Sequence, residues 1–445
     1  AESNPKPQTE VHAGDALKSK SALREEAVLA FWQEHSIFEK TLQKDAPQGN
    51  FVFFDGPPYA TGVPHFGHII PSTIKDVIPR YKTMKGYRVP RKWGWDCHGL
   101  PIENLIEKEL GLTDKKAIEE YGIDKFNKAA KNSVFRYDVD WKRLIKRAGR
   151  WVDMENDYHT MDSSYTESVW WSFKKLQEKG LVYEAYKVMP FCPRCQTSLS
   201  NFEVGQGYKD IPDISAYVLF PSKDDSYRDE YFLAWTTTPW TLPGNSALAV
   251  NPDMEYSLVR TSIPNTDGSE IISVWVASEL VQKLTDKKVL QNPEVVEGKE
   301  KVKGVTLRGR SYIPPFDFYI EPGTLPASEE VKRTNAWKVQ TASFVTAEDG
   351  TGIVHIAPAY GDDDYKLSVE ADVPVILHVS VDGKIKEGNG TLSSLSAKPK
   401  GDHQSTDIEV IKLLAHSKAV VYDMAGKDTG THAPLLFAKE KIVHS

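Results

Sequence analysis

Two imidazoles separated by two residues, in His65-Phe66-Gly67-His68, are the first side chains of this sequence whose types and spacing suit chemistry. They follow Phe51-Val52-Phe53-Phe54, which reads as a short buried strand, and a break at Asp55-Gly56-Pro57-Pro58, with small residues at Thr61-Gly62. A helix is expected over residues 69–84. Strand, tight loop and helix start form the place where an α/β sheet holds an anion. The helix N-terminus offers unpaired backbone N–H groups, and small residues let a ligand approach the backbone. Imidazole donors at that point can follow charge developing on a phosphoryl group. Without context, two histidines in a turn are as often ordinary turn residues, because short motifs recur by chance.

The context comes with Gly94-Trp95-Asp96-Cys97-His98-Gly99-Leu100-Pro101-Ile102-Glu103, after a second short strand expected over 87–92. Asp96 falls at a strand's carboxyl end, just before a helix expected over 101–110, where open α/β sheets bind ligands. A carboxylate there suits an amino group; the alternative is a capping or turn aspartate. The two blocks together closely resemble the isoleucyl-tRNA synthetases, a class I aminoacyl-tRNA synthetase family. The first is similar to that class's HIGH signature, with Phe66 in place of the isoleucine, and the second discriminates within the class. The resemblance implies that ATP, with Mg2+, and isoleucine give an aminoacyl-adenylate and pyrophosphate, and that the acyl group then passes to tRNA(Ile). It implies that His65, Gly67 and His68 meet ATP, with His65 and His68 stabilising the phosphate. Gly56 and Pro57 would pack near the amino acid, and Asp96 would hold its α-amino group.

A second constellation lies far along the chain. Thr236-Thr237-Thr238-Pro239-Trp240-Thr241-Leu242-Pro243-Gly244-Asn245 places consecutive hydroxyls at a strand end, although a threonine run is also plain strand material. Gly350-Thr351-Gly352-Ile353-Val354-His355-Ile356-Ala357-Pro358 leads into Asp362-Asp363-Asp364-Tyr365. Together these blocks resemble the editing domain inserted into isoleucyl, valyl and leucyl synthetases, which hydrolyses misacylated tRNA. The resemblance assigns amino-group recognition to Asp364, while Thr236, Thr237, Thr238, Asn245 and His355 would shape the pocket and orient water. These positions suit hydrogen-bond placement more than proton abstraction, so none is expected to be a general base. Such a site meets a physical need: one methylene is worth only about 1–3 kcal/mol in an apolar pocket, a figure for which isoleucine against valine is itself the standard example. A second, smaller pocket multiplies the discrimination.

Cys192 and Cys195 stand at the spacing of half a tetrahedral zinc site, and no cysteine follows them. The alternative is a pair of reduced thiols in a turn. With Cys97 they make three cysteines, which build no disulfide framework.

The elements that must position these groups point to an α/β chain: a Rossmann-like parallel-sheet half-domain followed by an inserted β-barrel-like editing domain with a few helices. Residues 1–50 read as an N-terminal extension, mobile over 1–22, and a helix over 23–36; residues 51–199 as the half-domain with a helical part; residues 200–445 as the insertion. Residues 124–179 read as helical, with their tryptophans in the core, and 181–188 as a strand. Beyond 200, short strands separated by turn residues include 339–346 and 373–378. A capping box of Thr406 and Glu409 marks a helix, and 382–404 reads as a loop.

With 55 Lys and Arg against 62 Asp and Glu, the net charge of −7 gives no global attraction to nucleic acid, so tRNA contacts would need local basic runs. The candidates are 82–85, 88–92 and 142–150. No apolar run nears the roughly 18 residues of a membrane span, and a cytoplasmic monomer is expected. The class completes its sheet with a half carrying a KMSKS loop, and no such segment follows residue 195. The expectation is therefore the amino-terminal part of a larger enzyme, without adenylation activity by itself. Valyl-tRNA synthetase, a stand-alone aminoacyl-tRNA deacylase and a non-catalytic nucleotide- or tRNA-binding protein are the alternatives.

Overall fold

A computed structural model describes residues 18–59, 62–227, 230–265, 268–416, 421–422 and 438–444. Most of the expected extension, residues 1–17, and Thr61 of the expected loop lie outside the described residues. The chain forms two compact units, Ala1–Glu184 and Ala185–Ser445.

In the first unit, helix α1 (Lys20–Glu34) starts at Ser19, whose hydroxyl accepts from the Ala22 N–H. Its Trp32 meets Trp151 edge to face at 5.2 Å. After α2 (Ile37–Gln43) the chain runs extended and parallel to a later segment, Asn50 pairing with Arg88 and Tyr59 with Asp96. Helix α3 (Ile69–Met84) is the crossover between them. Strand β1 (Lys92–Trp95) then pairs in parallel with β2 (Asp153–His159), Trp95 opposite His159. Between β1 and β2 lie α4 (Leu100–Leu110), α5 (Lys115–Tyr121), α6 (Ile123–Val134) and α7 (Asp138–Arg147). Helix α8 (Ser163–Glu178) follows. The core holds Trp93, Trp95 and Trp141 with Ile102, Val134 and Ile145.

Four expectations change here. Residues 51–54 are not a buried strand: Val52 and Phe54 are exposed and only Phe51 and Phe53 are half-buried, since the segment has one sheet neighbour among the described residues. Strand β2 falls inside the stretch read as helical; its sequence Asp-Met-Glu-Asn-Asp-Tyr-His buries only Met154, so no apolar alternation marks it. Trp170 and Trp171 of α8 are 72% and 62% exposed, not core, for that helix buries no residue. Residues 181–188 join no strand pairing.

The basic runs are partly internal. Arg91 is buried against the rings of Phe38 and Trp151 and donates to the Thr83 hydroxyl at 2.7 Å. Burial lowers its pKa to about 10. Arg150 is paired with Asp55.

The second unit opens with a hairpin of β3 (Phe191–Cys192) and β4 (Thr197–Ser198). A curled mixed sheet follows, built from β5 (Lys209–Pro221), β6 (Glu230–Thr236), β7 (Ala247–Val250), β8 (Glu255–Asn265), β9 (Gly268–Ala277), β10 (Gln291–Val295), β11 (Val302–Lys303), β12 (Lys338–Thr341), β13 (Ile353–Ile356), β14 (Val421–Tyr422) and β15 (Ala438–His444). Its main path runs β10-β8-β9-β6-β13-β7-β12, with β5 on β6. The pairs β6·β9, β6·β13 and β7·β12 are parallel. Trp275, Tyr217, Tyr256, Phe220 and Phe232 fill the core. The expected strand 339–346 stops at Thr341, and 373–378 forms no strand because its backbone is bonded elsewhere: the Val375 N–H donates to the Glu329 carboxylate at 2.8 Å. No helix among the described residues is long and apolar enough to cross a membrane.

Helix Ser405–His416 lacks the expected capping box. The Thr406 hydroxyl donates instead to the Ser396 carbonyl at 2.5 Å, and Glu409 pairs with Lys412. The next residue, Asp407, is fully buried with Asp213, and Lys398 bridges the two carboxylates at 2.7 Å each. Asp407 also accepts from the Trp240 N–H at 2.8 Å, tying this helix to the loop after β6. Burial raises its pKa to about 6, with Asp213 pushing the same way against Lys398.

A carboxyl whose folded pKa lies above its unfolded value of 3.8 stabilises the fold below that value, and the contribution is lost as pH rises through about 6. The rise corresponds to roughly 3 kcal/mol. We therefore expect thermal unfolding midpoints to fall more steeply from pH 5 to pH 7.5 in the parent than in Asp407→Asn, whatever the absolute stabilities. Equal slopes by calorimetry would refute this.

Candidate active sites

The two histidines of the first block cap each other's turn. The His65 N–H donates to His68 Nδ1 and the Gly67 N–H to His65 Nδ1, each at 3.1 Å, closing a single 3-10 turn that feeds α3. Since both Nδ1 atoms accept, each neutral ring carries its proton on Nε2, which stays available as a donor. The rings lie 3.8 Å apart, and His68 packs edge-on against Trp141, whose indole N–H donates to the Gly62 carbonyl at 3.0 Å. Burial lowers the His68 pKa, with His65 adding to it, so the ring favours the neutral form. A Cβ at Gly67 would come within 2.9 Å of the His65 ring, which would have to shift from its bond with the Gly67 N–H.

Asp96 stands at the carboxyl end of β1. Its N–H donates to the Pro58 carbonyl at 2.9 Å, which brings Gly56 and Pro57 alongside. Its half-buried carboxylate has no hydrogen bond or ion pair among the described residues. Asp55, not singled out from the sequence, contrasts with it: Lys75 pairs with Asp55 at 2.5 Å, and Arg150 is a second ion-pair partner. Both aspartates act on Tyr158, whose pKa is raised by burial, then by Tyr165, and then by their charges. The Tyr158 ring lies over Gly94, where a Cβ would meet it at 2.1 Å, and it stacks on Tyr165. An added Cβ on Gly56 meets nothing within 4 Å. The first unit thus carries a carboxylate without a partner among the described residues at the end of β1, open space over Gly56, and two N–H donors at the start of α3, group types that suit an amino acid and a phosphate.

The second block forms a cavity at the carboxyl ends of parallel strands β6 and β13, where Val354 lies opposite Trp235. The cavity has a volume of about 400 Å3, and Thr236, Thr237, Thr238, His355 and Asp364 all line it. Thr241, Phe344, Thr346 and Tyr360 line it too, without having been singled out from the sequence. Thr241 carries a legible signal, three positions after Thr238 in the 3-10 turn Pro239–Gly244, where such residues eclipse. Phe344, Thr346 and Tyr360 carry none.

Asn245 lies outside the lining, buried behind His355. His355 is itself buried; burial lowers its pKa to about 3, with His378 as a second cause. The imidazole is therefore neutral near pH 7. Asp364 lies in the first turn of helix Asp362–Glu370, and its Oδ2 accepts from the Ala357 N–H at 2.8 Å. Lys366 pairs with Asp362 and Asp363, whereas Asp364 makes no ion pair among the described residues. Burial raises its pKa, a cost that a docked ammonium would relieve.

Cys192 and Cys195 sit on the β3–β4 turn, the Cys195 N–H donating to Cys192 Sγ at 3.4 Å. Burial raises the Cys195 thiol pKa. Two thiols supply half of a tetrahedral set, and no group of three or more His, Cys, Asp or Glu side chains completes a metal site among the described residues. These residues alone do not fit zinc, and no chemistry is assigned to it.

The two glycines of the first site give a test. Gly94→Ala must displace the Tyr158 ring and is expected to cost about 1–3 kcal/mol. Gly56→Ala meets open space and should change stability by less than about 0.5 kcal/mol. Urea unfolding of both variants measures this, and equal costs would contradict the packing described.

The profile of tRNA synthetases class I (I, L, M and V) matches residues 27–369. An isoleucine–tRNA ligase of Treponema denticola is 47% identical over 383 residues, covering 82% of this chain and 34% of that protein. Isoleucine–tRNA ligase 2 of Bacillus thuringiensis subsp. konkukian is 44% identical over 430 residues, covering 96% of this chain and 37% of that protein. The isoleucine–tRNA ligase of Protochlamydia amoebophila is 42% identical over 399 residues, covering 90% and 36%. The chain thus spans about a third of the length of the curated relatives it matches. With a profile match over most of its length, this chain belongs to the class I tRNA synthetases.

Proposed function

We propose that this chain carries the amino-acid side of isoleucine activation and a complete hydrolytic pocket that clears valine from tRNA(Ile), working as a monomer in the cytoplasm. In activation, the isoleucine carboxylate attacks the α-phosphorus of ATP and pyrophosphate leaves; Mg2+ neutralises phosphate charge when bound. Asp96 holds the ammonium, and His65 and His68 donate from Nε2 to phosphate oxygens as charge builds there. Gly56 and Pro57 border the amino acid, and Gly67 meets ATP. The relatives are about three times as long, and the reading assigns only these parts of the activation chemistry to this chain.

In hydrolysis, water forms a bond to the ester carbonyl carbon, the bond to the ribose oxygen breaks, and the water's proton ends on that oxygen. Asp364 holds the valine ammonium, and the hydroxyls of Thr236, Thr237 and Thr238 surround the ester. The observation carrying this reading is that the threonine run and Asp364, far apart in sequence, meet in one cavity in which Asp364 has no cation of its own.

The test is hydrolysis of valyl-tRNA(Ile) by the 445-residue chain. Asp364→Ala should reduce the rate by two orders of magnitude or more, as expected when a buried charge pair with the substrate is lost. Asp96→Ala should leave it within about twofold. Equal loss in both variants, or none in Asp364→Ala, would refute the assignment.

A further inference from the structure

Behind the threonine cavity runs a line of hydrogen bonds that begins well away from it. Tyr312 is buried, and its hydroxyl donates to Asn245 Oδ1 at 2.7 Å. Asn245 Nδ2 donates to the Ala247 carbonyl at 3.0 Å and lies 2.8 Å from His355 Nδ1. His355 Nε2 is 3.1 Å from Thr241 Oγ1, and the Thr241 hydroxyl donates to the Thr238 carbonyl at 2.8 Å. Thr241 Oγ1 also lies 3.4 Å from Thr238 Oγ1.

The direction of each bond follows from what each atom can do. A backbone carbonyl only accepts, so the face of Asn245 turned to Ala247 must be its NH2 group. The other amide hydrogen then points at His355 Nδ1, which must accept. The ring proton is left on Nε2 and is donated to Thr241. Thr241 has given its own proton to the Thr238 carbonyl, so its oxygen receives the imidazole proton without conflict. Tyr312 reinforces the arrangement from the far side, since only an oxygen of Asn245 can accept its phenolic hydrogen while the NH2 group faces two acceptors. Removing that hydroxyl would orphan Asn245 Oδ1 in the core and weaken the preference for one amide orientation.

From this network we infer that Tyr312 and Asn245 are positioning residues for deacylation: they lock His355 as the Nε2–H tautomer, and the locked ring fixes the Thr241 hydroxyl on which the cavity's threonines align. This rests on the hydrolytic reading of the cavity. Neither residue touches the substrate, so the role is expressed through the ring. A neutral imidazole whose Nδ1 lone pair is already engaged neither gives up nor takes a proton in the reaction. It serves as a fixed donor.

The experiment uses the 445-residue chain with 15N-histidine, the His355 ring signals being assigned by their loss in His355→Gln. The parent is expected to show the Nε2–H pattern, and Tyr312→Phe a mixture of tautomers. With valyl-tRNA(Ile), Tyr312→Phe should lose roughly tenfold in kcat with KM unchanged. Asn245→Asp presents a carboxylate oxygen to Nδ1; it should switch the ring to Nδ1–H and cost more in kcat than Tyr312→Phe. A parent with Nδ1–H, or a Tyr312→Phe variant with parental kcat, overturns the proposal. So does a loss in KM alone, or a loss of kcat with the tautomer unmoved, which would mark a merely structural residue. A parent with the Nε2–H pattern but no hydrolysis overturns the hydrolytic reading, and the positioning role falls with it. The ring spectrum then tells that failure from failure of the lock.

Discussion

The parallel pairing of β6 with β13, Val354 opposite Trp235, is the contact on which the second unit's chemistry depends. Side chains at the ends of two parallel strands emerge at the same edge of a sheet, and loops leaving there converge. Thr236 closes β6 and the hydroxyl run continues from it; His355 sits within β13, and the chain after it turns into the helix bearing Asp364. An antiparallel pairing would send one of these loops to the opposite edge. Strand β7 pairs antiparallel to β13 on its other side and supplies Ala247, whose carbonyl orients Asn245. One register therefore sets both the cavity and the hydrogen bonds behind it.

Both candidate sites use imidazoles in the same way and reach that state differently. At the first, backbone N–H groups of a single turn occupy each Nδ1, at an exposed loop edge. At the second, a side-chain amide does so in the core, and burial lowers the His355 pKa to about 3. Burial thus keeps the ring neutral near pH 7, and the occupied Nδ1 leaves no free lone pair for a base. What remains is donation from Nε2 in a fixed direction, the task for which preorganised dipoles are effective. Hydrogen-bond direction, more than titration, decides what these rings do.

Much of both sites was legible because chemistry concentrated in short motifs folds locally. His65, Gly67 and His68 form one turn, Asp96 ends one strand, and the threonine run ends another. The residues that were missed act across the fold. Tyr158 reaches over Gly94 from another strand, Asp55 is paired by Lys75 and Arg150, and Tyr312 reaches Asn245 from a distant loop. The sequence patterns that misled share a cause too. Strand β2 buries only Met154 and shows no apolar alternation, so periodicity could not find it. Helix α8 has an apolar stripe that buries nothing among the described residues, so periodicity pointed to a core that is not formed there. Thr406 and Glu409 have capping-box spacing, yet the Ser396 carbonyl takes the Thr406 hydroxyl instead.

Charge shows the same conflict between local pattern and fold. Arg91 and Arg150 belong to basic runs that could serve phosphates, but both side chains are spent inside the first unit. Arg91 keeps its proton at neutral pH even with its pKa lowered to about 10, and aromatic faces and the nearby Asp76 replace the water it has lost. A guanidinium held this way contributes to folding and cannot also reach a ligand without paying its desolvation twice. Arg80 is committed likewise, stacked over Trp151 and paired with Asp76 on α3. Carboxylates are internal too, Glu107, Asp213, Glu329 and Asp407 among them, so burial does not concentrate the net charge of −7 on the surface. A net charge of −7 gives the chain no global attraction for a polyanion, so any such contact would depend on short-range donors.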